Sequence, residues 1–259
     1  MEDIQFVLLD RSNHLVEEWK RAFAEHLPAD VSSRITILNS TLENLTPPHS
    51  LFDCIVSPAN SYGIMDGGFD YYLSKAISPT GDIKSAISVA QSALYKRSRG
   101  YAPPGSCTLV PLAGTACEAN AHQCAFVALC PTMRVPEDVR WNREVVYNCI
   151  WSLLCEVDSY NAVVVETSEG RKIKTILLTG LGTGTGFVPA KRCAEQMALA
   201  IRHYYEALAD PQEWSSIGWG KAHEDSELVR ETYAEDLGLQ FRRHGTQKDS
   251  ASSSGCHIM

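Results

Sequence analysis

Six short runs of consecutive apolar residues punctuate the chain: "IQFVLL" (4–9), "RITIL" (34–38), "DCIVS" (53–57), "SCTLVP" (106–111), "CAFVALC" (124–130) and "KTILLT" (174–179). Between them lie stretches whose apolar residues recur at helical spacing. A strand with one face in water alternates apolar and polar residues, whereas a strand covered on both faces is apolar throughout. Six such runs separated by helical periodicity imply an α/β domain with a largely parallel central sheet. The pattern does not order the strands.

The helical stretches are explicit. Residues 13–26 place Val16, Trp19, Phe23 and Leu27 on one side, and residues 82–98 do the same with Ile83, Ile87, Ala90 and Leu94, closed by Gly100. Residues 138–156 carry Trp141, Val145, Cys149 and Ser152; residues 189–208 open on Pro189 and align Cys193, Met197, Ile201, Tyr204 and Leu208. Beyond Leu208 the strand runs cease and the chain turns acidic, then Ser-rich. The expected division is therefore a domain over 1–208 and a partly disordered extension over 209–259, with a short acidic helix over 224–237.

A net charge of −8, with no basic run longer than two or three residues, excludes a nucleic-acid-binding surface and leaves backbone N–H groups as the means of holding an anion. Nine cysteines, mostly within apolar runs, form no C-x-x-C pair, and no histidine pattern accompanies them. They read as buried thiols of a reduced, intracellular protein, cytoplasmic or nuclear, with no metal and no cofactor. The opening "MEDIQFVLLDR" has no basic region and reads as a strand rather than a signal peptide, and no segment approaches a membrane span in length.

Two loops stand where ligands bind in α/β proteins, at the passage from strand to helix. "SPANSYGIMDGGFDYY" (57–72) follows the third apolar run; "TGLGTGTGFVPAKR" (179–192) follows the sixth. Alternating glycines in the second let a ligand approach backbone N–H groups, and the helix opening at Pro189 directs its N-terminus at the same place. The loop lacks the Gly-Lys-Ser/Thr of a phosphate-binding P-loop, and its spacing is not that of a dinucleotide fingerprint. No Ser/His/Asp or Cys/His set is legible, nor a carboxylate pair beyond Asp66 and Asp70.

Together the loops resemble the macrodomain family of ADP-ribose-binding modules over residues 4–208. Ala59–Asn60–Ser61, Gly67–Gly68, Phe69 and Asp70 fill its first pattern; Gly182, Thr183, Gly184, Thr185, Gly186, Phe187 and Pro189 fill its second. The resemblance implies a three-layer α/β/α sandwich with a mixed, largely parallel sheet. It implies that Asn60 holds the distal ribose and that Gly67, Gly68 and Phe69 form the first diphosphate loop. Residues 183–187 would close over diphosphate and ribose, and Asp70 would orient a water at the anomeric carbon. Under that reading the protein binds ADP-ribose or a derivative and hydrolyses its linkages, as a mono-ADP-ribosyl hydrolase or an ADP-ribose 1″-phosphate phosphatase. The alternatives are a non-catalytic reader of ADP-ribosylated proteins and a binder of another nucleotide.

Three departures stand out. "ILNSTLENL" lacks the family's adenine-binding Asp, leaving Asp10 or Glu43 to replace it; Asp66 takes the place of a first glycine; and Phe187 lies one position nearer its Pro than a common form of the motif. Asp70 reads equally as the cap of a helix starting at Tyr71. Arg134, in "CPTMRVPEDV", is a second candidate for a phosphate contact. The terminal "CHIM" has the form of a prenylation box at Cys256, implying weak membrane association through a single lipid.

Overall fold

The structure is a computed structural model that describes residues 4–234. Six strands, β1 (Gln5–Asp10), β2 (Ile35–Asn39), β3 (Cys54–Ser57), β4 (Thr108–Pro111), β5 (Phe126–Leu129) and β6 (Thr175–Leu178), make one sheet in the order β2-β1-β6-β3-β5-β4. All neighbours are parallel except β4 against β5. Each strand coincides with one of the six apolar runs, β1 and β2 extending one residue past theirs. The helices are α1 (Asn13–His26), α2 (Ala29–Ser32), α3 (Gly68–Ile77), α4 (Ile83–Ser98), α5 (Val145–Thr167), α6 (Ala190–Ala209), α7 (Pro211–Trp214) and α8 (Trp219–Ala234).

The continuous apolar runs have the expected cause. Successive side chains of a strand point to opposite faces, and here both faces are covered. On β1, Phe6 and Leu8 enter one core with α1, α5 and α6, while Val7 and Leu9 enter another with α3 and α4. On β3, Cys54 and Val56 join the first core and Ile55 the second; on β6, Ile176 and Leu178 divide in the same way from Leu177. The result is a three-layer α/β/α sandwich with a mixed, mostly parallel sheet. Trp19 is fully enclosed in the first core.

Three helix readings change. The helix expected over 138–156 begins at Val145 and continues to Thr167. Its expected first turn is diverted because the Asp138 carboxylate binds the Arg140 amide and guanidinium, and the Val139 amide donates to the Gly186 carbonyl. Trp141 is consequently 69% exposed. Beyond 156, Val157, Asn161 and Val164 keep turning inward, and Asn161 bonds both the amide and the carbonyl of the backbone around Ile173. α3 begins at Gly68 rather than Tyr71, and the acidic helix spans Trp219–Ala234 rather than 224–237.

α8 packs on α6 through Leu199, Val229 and Tyr233. Of the eight described cysteines none is bridged and seven are buried. Burial raises the thiols of Cys54, Cys124, Cys149 and Cys193, those of Cys124 and Cys193 to about 12, so these four pack as protonated apolar groups. No helix among the described residues is long and apolar enough to cross a membrane. Cys256 and the Ser-rich stretch lie outside the described residues.

Candidate functional site

Parallel pairing brings the C-terminal ends of β1, β6 and β3 to one edge, and the chain leaves each of them toward a helix: α1, α6 and α3. Three helix N-termini thereby converge, each with amides that lack intrahelical acceptors and a positive dipole end. A cleft of about 1010 Å³ opens there. Ser12 and Leu15 from α1, Gly67 and Gly68 from α3, and Val188 and Ala190 from the α6 approach line it.

The first loop is held from both sides. Asn60 pairs with Met133 in an isolated parallel bridge beyond the ends of β3 and β5, one residue out of their register, and Ser61 donates its amide to the Met133 carbonyl. The Asn60 side chain then organises its own turn. Its Oδ1 accepts from the amides of Tyr62 at 3.0 Å and Ile64 at 3.3 Å, and its Nδ2 donates to the Ile64 carbonyl at 2.6 Å. One Nδ2 hydrogen is left over to meet a ligand. After that turn the chain enters α3 with Gly67 at the N-cap and no side-chain cap. The amides of residues 67–70 donate to no acceptor among the described residues and lie at the cleft.

The second loop is built on contacts between its own backbone atoms. Val188 donates to the Gly182 carbonyl and Phe187 to the Gly184 carbonyl, both at 3.0 Å. Gly186 packs so tightly that a Cβ there would stand 2.6 Å from the Gly182 carbonyl oxygen and 2.8 Å from Val139. The amides of residues 183–186 also donate to no acceptor among the described residues. Gly184, by contrast, has nothing within 4 Å of a Cβ and faces the open cleft.

The structure thus gathers Asn60, Gly67, Gly68, Phe69, Asp70, Gly182, Thr183, Gly184, Thr185 and Gly186 around one cavity. Phe187 is not in the lining. Its φ of 55° turns the ring outward, leaving the residue 62% exposed. Arg134 does not line the cleft either: its Nε donates to the Tyr62 hydroxyl at 3.1 Å and its guanidinium lies over Tyr101.

Asp70 is not a helix cap. It sits in the first turn of α3, 7% exposed, and accepts a hydrogen bond from Ser57 Oγ at 2.7 Å. Burial raises its carboxyl to about 7; the Ser57 hydrogen bond opposes that shift and the nearby charge of Asp66 adds to it. Asp66 itself is exposed at the mouth. Of the two acids expected to replace the missing one, both line the cleft. Asp10 is fixed by the Ser12 amide at 2.7 Å and Thr179 Oγ1 at 3.2 Å; Glu43 is exposed, 3.4 Å from Lys75.

Sequence reading missed Thr132. It is fully buried in the cleft lining, its amide donates to the Ala59 carbonyl, and its Oγ1 has no hydrogen-bond partner among the described residues. A threonine between a cysteine-proline pair and a methionine carries no motif, so only the fold could single it out. Arg11, also in the lining, was likewise hidden at the end of an apolar run.

No family model matches the chain, and no curated protein is found to match it. Among solved structures it is similar to macrodomains of Oceanobacillus iheyensis. One, described with ADP, is 17% identical with a TM-score of 0.41 over 59% of this chain and 70% of that one. Another, described with MES bound, is 15% identical with a TM-score of 0.42 over 72% of this chain and 86% of that one. At identities and overlaps this low, the likeness says nothing about ligand or chemistry.

Proposed function

We propose that the protein binds ADP-ribose or a close derivative in this cleft. The observation that carries the reading is the convergence of two sets of unpartnered amides, residues 67–70 and 183–186, on one cavity whose side chains are mostly acidic or neutral. A diphosphate suits such a cradle, because N–H dipoles solvate its charge without needing a Lys/Arg field. Arg11 is positioned to add one positive charge at the edge. Asp10, held by Ser12 and Thr179, keeps lone pairs for an adenine amino group, and Asn60 supplies its remaining Nδ2 hydrogen to the distal ribose.

Asp70 supplies the chemistry. A carboxyl poised near 7 is half ionised at neutral pH, the condition for effective proton transfer. In hydrolysis of an ADP-ribosyl linkage, a water oxygen would attack the anomeric carbon as the bond to the acceptor breaks. Asp70 would take the water's proton, and the acceptor would leave with the bonding electrons. The reading as a non-catalytic reader is favoured by one observation, the near-complete engagement of Asn60 in its own turn.

Calorimetric titration with ADP-ribose, ADP and NAD tests binding: ADP-ribose is expected to bind, and no heat at millimolar ligand would sink the proposal. Turnover of ADP-ribosylated protein or ADP-ribose 1″-phosphate, lost in Asp70→Asn with binding retained, marks the enzyme. Binding without turnover in the parent protein marks the reader.

A further inference from the structure

Far from the cleft, on the face where α8 covers α6, three side chains point at one another, and each keeps one buried polar atom without a hydrogen bond among the described residues. His203 is wholly buried and its Nε2 has no hydrogen-bond partner among the described residues; Asp225 Oδ1 is 3.8 Å away. Glu206 Oε2 and Asp225 Oδ2 are also buried without a hydrogen bond. One ligand atom from each residue lies within 4.8 Å of the others. Leaving three polar atoms unsatisfied in one spot is costly, and such groups in native proteins normally have a partner.

We propose that His203, Glu206 and Asp225 bind one divalent cation of the zinc class, which fastens α8 to α6. One imidazole nitrogen and two carboxylates are the donor set such ions take, and a helix presents residues three apart, as His203 and Glu206 are, on one face. The other ring nitrogen, Nδ1, stands 3.0 Å from the Tyr147 hydroxyl, the outer contact that fixes the ring of a ligating histidine. Ligands around a tetrahedral zinc sit about 3.3–3.6 Å apart, from bond lengths of ~2.0–2.2 Å, so modest rotation of the two partly buried carboxylates closes the site.

The charges around the site are specific. Arg202 holds Glu206 Oε1 at 2.7 Å, which leaves Oε2 for the ion. Lys221 Nζ lies 2.8 Å from Asp225 Oδ1 and 3.6 Å from Glu206 Oε2. Its ammonium is the competing cation. Lys221 is a quarter exposed at its side chain and has room to swing outward when a divalent ion enters.

The test uses the full chain, stripped with chelator and titrated with zinc or cobalt(II). One equivalent is expected to bind, with a visible cobalt spectrum free of thiolate charge-transfer absorption and a rise in melting temperature. Hydrogen exchange over residues 219–234 is expected to slow. Asp225→Asn, which keeps the side-chain shape and removes the charge, abolishes binding; Tyr147→Phe weakens it about 10–100-fold; Lys221→Gln tightens it. ADP-ribose binding stays unchanged throughout. No stoichiometric binding, a thiolate-type spectrum, or a Lys221→Gln variant that melts lower without gaining metal affinity would each overturn the proposal.

Discussion

Ser57 donates its hydroxyl to Asp70 Oδ1 at 2.7 Å, joining the last residue of β3 to the first turn of α3 beneath the cleft. The bond lowers the Asp70 carboxyl, but burial outweighs it. Because the folded-state value of about 7 lies above the unfolded one, the folded chain holds this proton more tightly. Stability from this group therefore falls as pH rises from about 4 to 7 and levels off above that. Asp70→Asn keeps an acceptor for Ser57 and removes the buried charge. We expect it to be neutral at pH 4 and stabilising by roughly 1–4 kcal/mol at pH 8, measured by denaturant unfolding. An equal effect at both pH values would show that Asp70 is not raised.

Asp66 faces the mouth of the same cleft and contributes to the rise of Asp70. Asp66→Asn is expected to tighten ADP-ribose binding about two- to fivefold, the scale of one exposed charge. The pH midpoint of Asp70, followed by carboxyl NMR, should move down in the same variant.

The second loop separates structural from ligand-facing glycines. Gly186→Ala drives a Cβ into the Gly182 carbonyl and should cost about 1–3 kcal/mol of stability. Gly184→Val meets no protein atom and should leave stability within about 0.5 kcal/mol. Its side chain would stand over the amide cradle, so titration should show at least a tenfold loss of ADP-ribose affinity, about 1.4 kcal/mol. Unchanged affinity would remove the loop from the binding site.

Thr132 Oγ1 is a buried hydroxyl with no partner among the described residues. Thr132→Val keeps the shape and removes the orphan, so thermal stability should hold or rise. If a ligand is the missing partner, ADP-ribose binding weakens by about 0.5–1.5 kcal/mol. Asn60→Ala makes a poorer test. Three hydrogen bonds of its own loop go with the side chain, and lost binding would not distinguish a ribose contact from a collapsed turn.

The chain's local pattern carried the fold a long way. Six apolar runs correspond to six strands, and the four inner strands β1, β6, β3 and β5 are buried on both faces, which is written in consecutive residues such as Val7 and Leu8 or Ile55 and Val56. The two glycine loops were legible because glycine spacing reflects close backbone approach, seen at Gly186. What local pattern could not convey were contacts set by distant residues. α5 starts late because Gly186 captures Val139; Phe187 faces solvent because its own loop closes with a positive φ; Asp70 bonds Ser57 instead of capping a helix. The orphan atoms of Thr132 and of His203, Glu206 and Asp225 exist only once strands and helices are stacked. Short-range periodicity determines which segments are strands and helices, since it follows from geometry within a few residues. Which polar atoms end up buried and facing one another is decided by packing across the whole chain.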